Sequence, residues 1–332
     1  MTGPHRRRTV LLAALLAGAV LAGCGDGSRT PSGTEPVGAH PAVTPRQAVQ
    51  ILANVDAAVV RGTTARDAAQ FAGRVVGPER EVLIASIKVA TVLKQSPVAP
   101  PAPSKPRLLV TTAGAWPRWF LAAGPNPSAP TPLVRVLYSA DPRSPYGLWT
   151  QLSLLPGAML PEVASPTVGA AQLAPDATGL VRSPATVIAH YTELLNRGDA
   201  SAYLKEFAPD QFRTELNQQL KSDRAAFAST AVGAVTSAHS IPPGPVFALA
   251  TVDGGAIVIG RIDQKYRVAV APGKGSVQLD SELAALVGRA SVSTRLERTA
   301  VQTLAFYVPP AGSTAPVSLI AASKTDIAAT GS

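Results

Sequence analysis

Twice along this chain the same opening recurs: a hydroxyl residue, a proline, an amphipathic stripe, then Arg-Gly. The first copy begins Thr44-Pro45-Arg46-Gln47, which has the residues of an N-cap, a first helical proline and a capping box. Ala48, Ile51, Leu52, Val55 and Val59 then share one helical face, and Arg61-Gly62 supplies a basic last turn and a glycine stop. The second copy begins Ser183-Pro184, continues through Val187, Ile188, Tyr191, Leu194 and Leu195, and closes at Arg197-Gly198. Phe71 follows Gly62 at the same spacing as Phe207 follows Gly198. A chain that restarts its own pattern is expected to build two related halves.

Each opening leads into the same order of elements. In the first half further helical patterns cover about 64–73 and 79–94, and a five-proline stretch, 96–106, breaks the helical period. Short apolar runs follow at 107–112, 118–122, 133–138 and 148–154, separated by Pro, Gly, Asn and Ser, as antiparallel strands require. In the second half a helix is expected at about 211–228 and a short one at 280–289. Strands are expected at 246–252, 256–261, 265–270, 298–308 and 316–322. Asp253-Gly254-Gly255 reads as a hairpin turn, because glycine accepts positive φ without strain. The expected fold class is α+β: two tandem domains of helices plus antiparallel sheet. They are placed at 44–160 and 183–332, joined by a Pro- and Ala-rich linker at 161–182.

The N-terminus carries a different signal. Arg6, Arg7 and Arg8 precede an uncharged apolar run from Val10 to Val20, and Leu21-Ala22-Gly23-Cys24 follows. The run is shorter than the roughly 20 apolar residues that span a bilayer. Leu-Ala-Gly-Cys resembles the lipobox of bacterial lipoproteins. That resemblance implies cleavage of a signal peptide, 1–23, and a diacylglyceryl group on the Cys24 thiol. It also explains why Cys24 is the chain's one cysteine. The expected location is the extracytoplasmic face of the cell membrane, held by lipid on Cys24. Residues 24–43, rich in Gly, Ser, Thr and Pro, read as a disordered tether. Arg7-Arg8-Thr9-Val10-Leu11 also resembles a twin-arginine signal, so the sequence leaves the export route open.

Composition excludes several functions. The net charge is +9; without Arg6, Arg7 and Arg8 it falls by three to +6, and no Lys/Arg stripe concentrates it. Nucleic acid is therefore not an expected partner. One cysteine permits neither an internal disulfide nor a cysteine-based zinc site. Of four histidines, His5 falls in the signal peptide, His40 in the tether, His239 in an expected loop and His190 in a helix. No two have metal-ligand spacing, so no metal and no cofactor are expected. Gly-x-Ser-x-Gly and Walker A patterns are absent, and Gly273-Lys274-Gly275 reads as a turn.

Two family resemblances complete the reading. The stretch from His190 through Gly198-Asp199 to Pro209-Asp210 resembles the helical opening of the NTF2-like (cystatin-like cone) superfamily. Enzymes of that fold place acid–base groups inside the cone, which makes His190, Tyr191, Tyr203 and Tyr266 the residues to weigh. Core packing suits Tyr191 and Tyr203 better. Ala115-Trp116-Pro117-Arg118-Trp119-Phe120, Thr251-Val252-Asp253-Gly254-Gly255-Ala256-Ile257-Val258 and Phe306-Tyr307-Val308-Pro309-Pro310-Ala311-Gly312-Ser313 resemble an actinobacterial lipoprotein family of unknown function. That resemblance implies an envelope address and no chemistry. Trp116, Arg118 and Trp119 form the expected binding surface: tryptophans three apart on a strand face opposite ways, and Arg118 can stack on an indole. The expected function is non-enzymatic binding of an envelope protein or a small ligand. A cell-wall interaction platform is the first alternative, and a cone-fold lyase or isomerase using His190 or Tyr266 the second.

Overall fold

The computed structural model describes residues 40–114, 116–230 and 233–332. The signal segment 1–23, Cys24 and the tether as far as residue 39 lie outside the described residues. Ordered pairing begins a few residues before Thr44. Ala42 N–H donates to Thr111 O at 2.7 Å, Pro41 bridges to Thr112, and Val43 is buried in the core.

Helix α1 (Pro45–Ala65) starts as its sequence dictates. Gln47 N–H donates to Thr44 Oγ1 at 3.2 Å, and Thr44 N–H donates to Gln47 Oε1 at 2.8 Å. The helix does not stop at Gly62. It runs to Ala65 and ends on Arg66, which takes the left-handed conformation at φ 56°. Gly62 is needed for another reason: a Cβ there would come within 2.3 Å of the Phe71 ring. Gly198 does end its helix, at φ 57°. The matched Gly-to-Phe spacing thus serves close packing in the first half and termination in the second. After α1 comes a 3-10 turn (Ala68–Phe71) where a helix was expected, then α2 (Gly77–Val92).

The first half continues as a four-strand antiparallel meander: β1 (Arg107–Val110), β2 (Arg118–Gly124), β3 (Leu133–Ser139) and β4 (Gly147–Leu154). The second half opens with α3 (Pro184–Arg197), two 3-10 turns (Gly198–Ala200 and Leu204–Glu206) and α4 (Gln211–Thr230). Its strands are β5 (Gly233–Ser240), β6 (Phe247–Ala250) and β7 (Ala256–Val270). After them come β8 (Val277–Gln278), α5 (Ser281–Val287), β9 (Ser291–Val292), β10 (Arg295–Val308) and β11 (Ser318–Gly331). The two strands expected at 256–261 and 265–270 are one, β7. The strand expected to end at 322 runs to Gly331. The segment holding His239, expected as a loop, is strand β5.

One sheet joins both halves, in the order β1-β2-β3-β4-β11-β10-β7-β5, with β6 on β7. The junction is short, Leu154 opposite Ala321 and Ser153 opposite Ala322. The segment expected as a linker, 161–182, is hydrogen-bonded to both halves. Ala170 exchanges bonds with Val110 and Thr112, while Ala171 and Leu173 bond to β6 and Val181 to Pro309. Residues 39–332 form one compact unit.

The clusters of buried side chains define layers. Ala48, Leu52, Val55 and Val59 of α1 pack on Val110, Phe120, Leu137 and Leu148, one face of the first meander. Its other face, with Leu109, Trp119, Leu121, Val136 and Trp149, packs on Phe247, Leu249, Ile257, Ile259 and Ile320 of the second half. Val187, Ile188, Tyr191 and Leu194 of α3 cover the remaining face, on Val258, Leu304 and Phe306. The architecture is α+β with a large antiparallel sheet folded upon itself between two helical layers.

Candidate functional site

The tryptophan segment separates sharply. Trp119 lies on β2 and is 1% exposed, edge-on to Phe247 at 5.1 Å between ring centroids. Trp149 and Tyr138 meet the same Phe247 ring at 4.8 and 5.7 Å. Trp119 is therefore core, and packs a first-half strand on a second-half ring. Trp116 precedes the strand, in a cis peptide bond with Pro117, and is half-buried. The Arg118 guanidinium carbon sits 4.8 Å from its ring centroid. Trp116 lines a groove of about 590 Å³ with Gln172, Leu173, Pro175, Pro245 and Val246. Of the three residues expected to form a binding surface, Trp116 and Arg118 lie against one another at the surface and Trp119 is buried.

His190 is on the outside of α3. Its Nδ1 lies 2.7 Å from Glu206 Oε2, its ring stacks on Tyr203 at 3.5 Å, and Arg182 bonds the same carboxylate at 2.8 Å. Every group in this cluster has a partner. Tyr191 is fully buried and donates to Asp210 Oδ1 at 3.1 Å, and burial holds its phenol well above the ordinary pKa. Asp253 closes the β6–β7 turn by accepting from Gly255 N–H at 3.1 Å and from the Tyr307 hydroxyl at 2.6 Å.

A second constellation lies under α4, on the sheet face that α3 also covers. Strand register places it. His239 pairs opposite Gln264, Ser237 opposite Tyr266, Gln264 opposite Ala300, Ala300 opposite Asp326, and Gln302 opposite Lys324. Directly opposed residues share a face of the sheet. These positions therefore form a polar belt across β5, β7, β10 and β11, with the methyl of Ala300 at its centre. On one side of the belt lie Phe212, Leu216, Leu304 and Ala322; on the other lie Leu220, Phe227, Val268 and Leu296. Asp223 of α4 completes it, accepting from Tyr266 at 2.6 Å and from Gln219 at 2.7 Å. Arg298 reaches Asp326 at 3.1 Å and covers the Tyr266 ring at 4.2 Å.

Part of this belt is internally bonded and part is not. Gln264 donates to Ser237 Oγ at 2.8 Å and accepts weakly from Gln302 Nε2 at 3.4 Å. Gln302 Oε1, Asp326 Oδ1 and both ring nitrogens of His239 are buried without a hydrogen-bond partner among the described residues. Gln302 is 0% exposed. Desolvation, and then the charge of Lys324, push the His239 imidazole down to a pKa of about 4, so the ring is neutral at pH 7. Desolvation also lowers the Lys324 ammonium. Lys324 stands where β11 has left its neighbour β4 behind. There it lines both a groove of about 490 Å³ along α4, with Gln219 and Leu216, and a hollow of about 480 Å³ between α2 and α5.

The belt combines amide, imidazole and phenol hydrogen-bonding groups with the Asp223 and Asp326 carboxylates, the Arg298 guanidinium and the exposed Lys324 ammonium. Tyr266 is pushed upward by burial and by its bond to Asp223, so it stays a protonated donor. Among the described residues no group of three or more His, Cys, Asp or Glu could hold a metal ion. No described helix is long and apolar enough to cross a membrane.

Sequence reasoning weighed Tyr266 and passed over its neighbours. His239 was set aside with its supposed loop. The available signal was the alternation of Val235, Ser237 and His239 with the exposed Ala234, Thr236 and Ala238. It was faint because only Val235 is a bulky apolar residue.

A family model described as Domain of unknown function (DUF8094) matches residues 39–331. No curated protein matches the chain, and no solved structure does.

Proposed function

The chain belongs to the DUF8094 family, and on that footing we propose a non-enzymatic binding protein, lipid-anchored through Cys24 on the extracytoplasmic face, that takes a small ligand into the polar belt. The single observation behind this reading is Gln302, fully buried with an unpaired Oε1 in a row of polar side chains between two apolar clusters. A buried polar group left unpaired costs about 1–3 kcal/mol, and an apolar side chain of similar shape would avoid that cost. Four such atoms on one sheet face are an expensive arrangement for packing alone. They fit a site whose partner is a ligand. In this reading the second half is a cone of the NTF2-like kind, with α3 and α4 over its sheet.

Two experiments test the reading. Protein purified from its native envelope should carry a small molecule detectable by native mass spectrometry, and Gln302→Leu, which removes the buried amide, should lose it. Wild-type protein that carries nothing would count against the site. Fractionation tests the anchor: wild type should sit in the membrane fraction with Cys24 as its first residue, and Cys24→Ala should abolish both. A wild-type protein retaining residues 1–23 would contradict the anchor.

A lyase or isomerase reading draws on one observation, that Tyr266 lies inside the belt. Its hydroxyl is already committed to Asp223, and its raised pKa makes it a poor base at neutral pH. Binding is the better use of the same residues. The Trp116 groove remains the place for a platform's protein contact.

A further inference from the structure

We propose that the outer face of α1, with the adjoining end of α2, lies against an anionic lipid surface. This rests on the membrane location given above and concerns a part of the molecule away from the polar belt. Charge is the first observation. Residues 44–160 hold 12 Lys and Arg against 5 Asp and Glu, a net of +7, while residues 161–332 hold 14 of each and have no net charge. The acids of the first half offset little at its surface. Glu79 is buried, Asp56 is paired with the buried Arg135, and Glu81 is paired with Arg261 of the second half. Asp67 and Asp141 accept bonds from the backbone of their own turns. Arg46, Arg61, Arg66, Arg80 and Lys94 are all exposed.

Exposed aliphatic side chains occupy the same layer. Of nine large hydrophobic residues exposed among the described residues, Val49, Val60, Ile84, Val92 and Val98 lie in α1, in α2 or just after it. On α1 the buried stripe runs through Ala48, Leu52, Val55 and Val59. Val49 and Val60, 62% and 51% exposed, stand on the solvent side about three turns apart. Arg46 precedes Val49 by about one turn and Arg61 follows Val60 directly. No exposed residue of α1 is acidic. Arg66 Nη2 donates to Gln95 O at 2.7 Å, which holds the end of α2, with Val92 and Lys94, beside the end of α1.

The point of chain entry selects the occupant. Thr44 caps α1 only 20 residues after Cys24. A lipid on Cys24 keeps the start of α1 within about 70 Å of the bilayer even at full extension. Aliphatic side chains interspersed with arginine are the chemistry of a helix lying in a membrane interface. The apolar groups enter the headgroup–acyl boundary and the cations meet anionic headgroups. An acidic soluble protein would also answer the charge, but the anchor holds this face at high effective concentration over the bilayer.

The test is sedimentation of residues 24–332 carrying Cys24→Ser, which have no lipid, with vesicles. Equal phosphatidylglycerol and phosphatidylcholine should bind the chain, and phosphatidylcholine alone should bind it about tenfold less or weaker still. Each cation at an anionic surface contributes about fivefold in partitioning, so Arg46→Gln with Arg61→Gln should weaken binding at least about tenfold. Val49→Ser with Val60→Ser should weaken it about threefold or more. Lys205→Gln with Lys274→Gln removes the same charge from exposed sites of the second half and should leave binding unchanged. All six side chains are exposed, so every variant should keep the wild-type melt. Equal weakening by the two charge pairs, no preference for anionic vesicles, or no vesicle binding would each overturn the proposal. Polyglutamate bound as tightly as the vesicles would overturn it too, by assigning the face to an acidic protein. Because the tested chain carries no lipid, these outcomes leave the anchor itself to the fractionation experiment.

Discussion

Phe247 meets Trp149 edge-on at 4.8 Å, so a ring from the second half is the central piece of an aromatic cluster built by the first. Trp119 and Tyr138 complete the cluster around the same ring. Edge-on pairs add about 0.5–1.5 kcal/mol each beyond area burial. Phe247→Ala removes all three contacts at once. It should cost about 3–5 kcal/mol, as core aromatic truncations do. Because the ring couples the halves, chemical denaturation of wild type should show one transition. Two resolved transitions in wild type would show that the halves are energetically independent.

Trp119 and Trp116 should respond very differently to truncation. Trp119→Ala should cost about 3–5 kcal/mol, since its indole is buried at the seam. Trp116→Ala loses chiefly its contact with Arg118, about 0.5–1 kcal/mol at a half-exposed site. Equal losses would mean that the groove beside Trp116 is part of the core.

Glu79 gives the fold a pH dependence. Its carboxyl is 5% exposed, accepts from Gln151 N–H at 3.0 Å and lies near the buried Arg135, which is paired with Asp56 at 2.5 Å. Burial raises its pKa from 4.5 to about 7, against the pull of the Gln151 bond and Arg135. Between those values the folded chain holds a proton that the unfolded chain has lost. The stabilising contribution is therefore complete below about pH 4.5 and is lost as pH rises through about 7. Its slope is at most about 1.4 kcal/mol per pH unit. Glu79→Gln keeps the acceptor and should flatten stability across this window in urea titrations. An unchanged slope in the variant would assign the dependence to another group.

Part of what the sequence left unread lies along the belt. The capping box at Thr44, the α1 stripe, the first meander and the Asp253 turn follow from local rules, and the residues there obey them. The strands of the second half were read short or missed wherever a polar residue faced the helices. Gln264 split β7 into two expected runs, Lys324 and Asp326 cut β11 off at 322, and Ser237 and His239 hid β5 altogether. Apolar-polar alternation assumes that the helix-covered face is apolar. Positions that break a local rule in a stable fold are where functional residues concentrate. Gly62 is a different failure: an Arg-Gly pair looks like a helix end, and only the contact with Phe71 shows why the helix needs glycine there.

The most direct measurement of the central claim is a parallel melt of wild type and Gln302→Leu, each with and without the small-molecule fraction of the native envelope. A ligand that binds only the folded chain stabilises it by about 2.7 kcal/mol at a hundredfold excess over Kd. The wild-type Tm should rise with the fraction. Gln302→Leu removes one unpaired buried oxygen but also the long bond it donates to Gln264 Oε1, so it should melt close to ligand-free wild type, and it should not respond to the fraction. A Gln302→Leu protein that melts well below wild type, with no ligand response in either, would contradict the account and make Gln302 a structural residue.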